Sequence, residues 1–153
     1  MIILLLIAAV NTALTYQRNK IWKNDYTLWS DCLKKSPKKA RVNNNFGLAM
    51  SENNEFEKAI YYYNKASLLS PDYVLPYYNR GNAYAQMGQY QRAIEDFNKT
   101  ISLKPDYANA YQHRGIAYLI QGDKISGCRD ERKACELGNC KTFESTTGKE
   151  MCR

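Results

Sequence analysis

The sequence predicts an all-α solenoid of antiparallel helical hairpins, and three observations carry that prediction. Gly47, Gly81 and Gly115 recur at a step of 34 residues, and Pro37, Pro71 and Pro105 keep the same step. Ala59 and Ala93, Tyr63 and Phe97, and the trio Asn54, Gly88 and Gly122 repeat in register with them. Within each period the apolar residues of 75–87 and 108–121 fall three and four apart, as on a half-buried helix. A period of this length holding two such helices marks a stacked helical array.

In chain order, residues 1–18 come first as an apolar opening whose first ten side chains include none that is polar. A signal peptide wants a basic start and small residues before a cleavage point, and neither is clear here. A buried soluble helix would keep a wet face. A membrane helix needs about 20 apolar residues, so this run suits a span that the chain enters part-way, as a fragment of a longer protein would. The expectation is a transmembrane helix. Residues 19–39 follow as a basic junction. Trp22, Trp29, Cys32 and Pro37 lie one step before Phe56, Tyr63, Ala66 and Pro71. Residues 22–36 therefore read as the second helix of an earlier hairpin, with Cys32 a buried, inert thiol in a small-residue column.

Three repeats occupy 40–73, 74–107 and 108–141. In the first two, Gly47 with Ala59 and Gly81 with Ala93 let the paired helices approach closely. Asn54, Gly88 and Gly122 tolerate the left-handed conformation that ends a helix. Second helices start near Phe56, Tyr90 and Lys124, and Pro71 and Pro105 end the first two of them. The third repeat departs at Gly127 and Glu131, where earlier repeats place Ala and an aromatic. A polar residue there suits the terminal face of an array with no further repeat to pack on. Residues 142–153 form a capping tail.

These columns, in the order Gly, aromatic, Gly/Asn, Ala, aromatic, Ala, Pro, resemble the tetratricopeptide repeat family over residues 40–137. The resemblance implies a right-handed superhelix that binds a partner along its concave groove. The junction carries a second likeness. Residues 16–22 (YQRNKIW), 28–31 (LWSD), 35–41 (KSPKKAR) and 44–47 (NNFG) resemble protein O-mannosyltransferase-like multi-pass membrane proteins. The matching part there joins the last membrane helix to a C-terminal repeat array. That likeness implies an array outside the cytoplasm, with the catalytic carboxylates in a membrane half that these residues do not include.

Charge and cysteine usage sort the remaining classes. Of the net +7, residues 17–41 contribute +6, from Arg18, Lys20, Lys23, Lys34, Lys35, Lys38, Lys39 and Arg41 against Asp25 and Asp31. Such a cluster beside an apolar segment suits anionic lipid headgroups, at about 1 kcal/mol per basic residue; a solvated linker is the plainer alternative. A basic face with stacking or groove-reading elements is lacking, so nucleic acid is not an expected partner. The positive-inside rule favours a cytoplasmic junction, whereas the family likeness and the cysteines favour the far side; sidedness stays open, leaning extracytoplasmic. Cys128, Cys135, Cys140 and Cys152 lack the paired CxxC spacing of zinc sites. Disulfides that staple the tail to the last hairpin are the expectation. Seven helical residues span roughly 10 Å, which rules out Cys128–Cys135. Two complete pairings and a lone Cys140–Cys152 bridge remain. Reduced thiols are the other possibility.

No enzyme site assembles from this chain. His113 is the sole histidine, placed on the surface or in the groove, and no orienting group or oxyanion site accompanies a cysteine. No cofactor or metal is expected. On the first helices, Arg41, Asn44, Leu48, Tyr78, Asn82, Gln112 and Ile116 form the face opposite the packed columns, the candidate partner groove for a peptide or protein. Arg41 is the one basic residue among them, so an acidic chaperone tail is not an expected ligand. Two functions follow: a membrane-anchored interaction scaffold, or a non-catalytic accessory region of a membrane glycosyltransferase-like enzyme that positions an acceptor.

Overall fold

The computed structural model describes residues 11–12, 15–16, 24–140 and 152. Seven helices run through these residues: α1 (Asp25–Lys35), α2 (Ala40–Glu52), α3 (Phe56–Leu69), α4 (Val74–Gln86), α5 (Tyr90–Leu103), α6 (Ala108–Ile120) and α7 (Lys124–Glu136). They pair as hairpins α2/α3, α4/α5 and α6/α7, and α1 packs on α2 in the place of a preceding second helix. The apolar run 1–10, on which the transmembrane expectation falls, lies outside the described residues. Among the described residues no helix is long and apolar enough to cross a membrane.

Local chemistry explains the boundaries. Asn24 starts α1 with a reciprocal cap: its side chain accepts from the Thr27 amide at 2.9 Å, and its own amide donates to Thr27 Oγ1 at 3.3 Å. Asp25 in the first turn and Lys34 and Lys35 in the last complement the helix dipole. Asn43 is fully buried and donates from Nδ2 to the carbonyls of Pro37 and Lys39, at 2.8 and 2.9 Å. It thereby satisfies the turn between α1 and α2. Asn54, Gly88 and Gly122 have φ of 61°, 72° and 86° and end the first helix of each hairpin.

The core is a line of alternating small and large side chains. A Cβ on Gly47 would lie 2.8 Å from Tyr63 Cε1, and one on Gly81 would lie 2.8 Å from Phe97 Cε1. Each aromatic thus sits on the bare backbone of its own hairpin, which brings α2 onto α3 and α4 onto α5. In the third hairpin Glu131 takes the aromatic's place, with its Cγ 3.3 Å from a Cβ built on Gly115. Here the structure corrects the expectation of a polar, outward cap residue. Glu131 is only 2% exposed, and neither carboxylate oxygen has a hydrogen-bond partner. Gly127 makes room for Leu119, whose Cγ lies 2.6 Å from where a Cβ would be. Cys32 is likewise half-buried rather than buried.

Ion pairs close the two later hairpins, and the same arginines hydrogen-bond the hairpin before. Arg80 on α4 grips Asp96 on α5 through Nε at 2.7 Å and Nη2 at 2.5 Å, while Nη1 donates to Asn64 of the preceding hairpin. Arg114 on α6 repeats this one step later, with Asp130 at 2.6 and 2.8 Å and Asn98 at 2.5 Å. The same two columns in the first hairpin hold Phe46 and Tyr62, whose rings meet edge-on with centroids 4.7 Å apart. Tyr26 of α1 packs on Phe46 at 5.6 Å. The N-terminal hairpin therefore closes with an aromatic contact where the later ones use a bidentate ion pair.

Candidate functional site

The first helices α2, α4 and α6 run parallel and form the inner wall of the array. Three of their columns, each at the 34-residue step, lie three and four residues apart and so share one helix face: Asn45, Asn79 and His113; Leu48, Asn82 and Ile116; Glu52, Gln86 and Ile120. All but Asn45 line a cleft of about 830 Å³. Phe56, Tyr63 and Tyr90 of the second helices close its back. The cleft occupies the C-terminal halves of the inner helices.

Of the sequence-predicted groove residues, the structure brings Leu48, Asn82 and Ile116 into this cleft. Arg41, Asn44, Tyr78 and Gln112 are not among the residues that line it. Arg41 is exposed at the start of α2, where its charge acts on the Tyr73 hydroxyl. Asn44 is a correction: it is 1% exposed, donates to Asn45 Oδ1 at 3.0 Å and accepts from Asn79 Nδ2 at 3.0 Å. Its amide joins α2 to α4 instead of facing a partner. Gln112 accepts from Asn139 Nδ2 at 2.8 Å, and Asn109 accepts from the same amide at 2.8 Å, so Gln112 holds the end of α7. Tyr78 is half-buried among Phe97, Tyr107 and His113, with centroids 6.1, 5.0 and 5.5 Å away, and burial pushes its hydroxyl pKa up.

The sequence places His113 on the surface or in the groove, and the structure puts it in the cleft; Asn79 and Gln86 are additions, although their columns repeat visibly. His113 stacks on Tyr78, and its Nδ1 lies 2.5 Å from Asn82 Oδ1. With Oδ1 as acceptor, Nδ1 carries the proton and Nε2 is left as the acceptor. Burial lowers the imidazole pKa below its ordinary value, so the ring is neutral at pH 7. The cleft thus holds amide donors and acceptors at its centre, apolar walls, and a single formal charge, Glu52. Among the described residues no group of His, Cys, Asp and Glu could hold a metal.

At the far end of the array, Cys128 of α7 bonds to Cys152 of the tail, and Cys135 to Cys140 just past the helix. Both bonds join the last helix to the chain that follows it.

The tetratricopeptide repeat description matches residues 74–107, and a second TPR repeat description matches residues 47–88. The chain carries tetratricopeptide repeats. A 67-residue stretch is 34% identical to human Protein O-mannosyl-transferase TMTC3 and 36% identical to the mouse protein. It covers 44% of this chain but only 7% of those two proteins. Among solved structures, MamA is 31% identical with a TM-score of 0.68, over 74% of this chain and 66% of that one. The first TPR of Spaghetti (RPAP3), bound to the HSP90 peptide SRMEEVD, is 23% identical with a TM-score of 0.67, over 75% and 88%. YrrB, a TPR protein with an unusual peptide-binding site, is 21% identical with a TM-score of 0.70, over 81% and 62%. The last two likenesses are of fold.

Proposed function

We propose that this chain is a membrane-anchored TPR scaffold that holds a peptide, or an extended segment of a partner protein, in the concave cleft. The observation that carries this reading is the cleft itself. Its three residue columns repeat along the wall, its walls are apolar, and Asn82 and Gln86 stand at its centre, where amides can bond a peptide backbone. Fold likeness to TPR proteins described with peptides agrees with it, although a shared fold does not by itself imply a shared function. The single substitution Ile116→Asp should abolish partner binding, measured by anisotropy or pull-down, with helical content unchanged. Full binding by that variant would end the reading.

Anchoring is the second part of the proposal. The apolar run 1–10 and the basic residues of 17–41 support attachment to an anionic bilayer. Expressed whole, the chain should fractionate with membranes, and removal of residues 1–16 should release a soluble helical domain. A monomeric intact chain in detergent-free buffer would oppose this. The two disulfides favour an oxidising compartment, hence an array outside the cytoplasm.

The TMTC3 match favours one alternative, that these repeats are the accessory region of a membrane glycosyltransferase-like enzyme and position its acceptor. A long multi-pass coding region upstream of Met1 would support that reading, and a stop codon close upstream would oppose it.

A further inference from the structure

The cleft is polarised along the array, and its polarity limits what fits. At the α2 side stands Glu52, the one formally charged residue in the lining, beside the exposed Leu48. At the α6 side Ile116 and Ile120 present an apolar wall, with Ile120 more than half exposed. Between them α4 contributes amides. Helices α2, α4 and α6 end at Glu52, Gln86 and Ile120, and all three of these residues line the cleft, so three helix C-termini lie side by side along it. Each adds roughly half a negative charge. Residues 17–41 carry +6 of the net +7, so the repeats are nearly neutral as a whole and the acidic bias is local to the cleft. His113 brings no cation to offset it, being neutral.

We infer that the occupant is an extended peptide carrying a Lys or Arg side chain at Glu52 and an aliphatic side chain between Ile116 and Ile120. This rests on the groove reading above and adds charge and direction to it. Neighbouring inner helices lie roughly 10 Å apart, so α2 to α6 is about 20 Å. At roughly 3.3 Å per extended residue the cation and the aliphatic residue sit about six positions apart. An acidic C-terminal tail, which needs lysines and arginines on the wall, meets Glu52 and the negative ends of three helix dipoles instead.

The test pans random 12-residue peptides displayed on phage against the immobilised full chain and against the Glu52→Lys and Ile116→Asp variants. Glu52 is exposed, so its exchange should leave far-UV circular dichroism unchanged; Asn82→Ala replaces Ile116→Asp if the latter loses helix. Expected on the parent is enrichment of Lys or Arg about six residues from Leu, Ile or Val. A synthetic peptide of that pattern should bind E52K at least ~10-fold more weakly, a loss of about 1.4 kcal/mol. Exchanging its cation for Glu should weaken binding to the parent equally. Peptides without a cation, bound equally by E52K but lost on I116D, would overturn the charge register and leave the groove standing. Peptides held equally by the Ile116 or Asn82 variant, or no enrichment at all, would bring down the groove reading and this inference with it.

Discussion

Replacing Glu131 by glutamine should make the array more stable at alkaline pH and leave it unchanged in acid. Glu131 is 2% exposed, with both oxygens unpartnered. Burial, and after it the charge of Asp130, raises its pKa from 4.5 to about 7. Asp130 itself is held by the Arg114 fork. Because the folded pKa is the higher one, the folded chain keeps a proton that the unfolded chain releases above pH 4.5. The stability linked to Glu131 is therefore full below pH 4.5 and is lost progressively until pH passes about 7. A shift of this size corresponds to about 3 kcal/mol at pH 8. Glutamine has the same shape and does not titrate. Parent and E131Q should melt together at pH 4 and separate at pH 8, the variant higher by roughly 6–12 °C. The assay is thermal unfolding followed by circular dichroism at 222 nm on the oxidised protein. Asp96, Asp123 and His113 also titrate with shifted pKa values, but they are common to both proteins and cancel in the difference. Identical pH profiles for the two would refute the reasoning.

Arg114→Leu should cost about 3–5 kcal/mol, because it leaves Asp130, 4% exposed at its side chain, charged and buried. The double variant Arg114→Leu, Asp130→Leu should recover most of that in urea unfolding, and a double variant as unstable as the single would contradict it. Gly81→Ala should destabilise by about 1–3 kcal/mol through the 2.8 Å approach to Phe97, although alanine is the better helix former; a stabilised variant would show that the hairpin yields freely. Among the cysteines, Cys152→Ser should lower stability by roughly 3–4 kcal/mol and Cys140→Ser by about 2, since the closed loops span 24 and 5 residues. Scanning calorimetry without reductant checks the order, which addition of reductant should erase.

The hairpins were legible because their determinants are local. Glycine at a left-handed turn and proline past a helix end act within a few residues, so the starts at Phe56, Tyr90 and Lys124 follow from sequence spacing. The inner wall was legible only in part. Leu48, Asn82 and Ile116 share a column and line the cleft, yet Asn44 and Gln112, one turn away on the same wall, spend their amides on neighbouring segments. Residue type cannot separate these uses, since an amide bonds a ligand and an adjacent helix equally well. The Arg80–Asp96 and Arg114–Asp130 pairs were open to detection, because arginine, aspartate and the bridging asparagine all keep the repeat step. They lie 16 residues apart on different helices, where only a correct hairpin register brings them together.

By itself the sequence determined a repeating helical array, its period, its turns and the small residues that let its helices meet, because each is a short-range steric requirement. It also determined where the positive charge lies. Tertiary structure decided which side chains the array consumes and which it leaves lining the cleft. It placed Glu131 in an aromatic's socket because the bare Gly115 backbone leaves space there for whatever side chain the register delivers. It chose Cys128–Cys152 and Cys135–Cys140 among the pairings open to four cysteines, because which sulfurs meet depends on where Cys140 and Cys152 lie against α7. Polarity in the cleft belongs to the same level: Glu52 and Ile120 are 68 residues apart in the chain, and only the parallel stacking of α2, α4 and α6 sets them at opposite ends of one site.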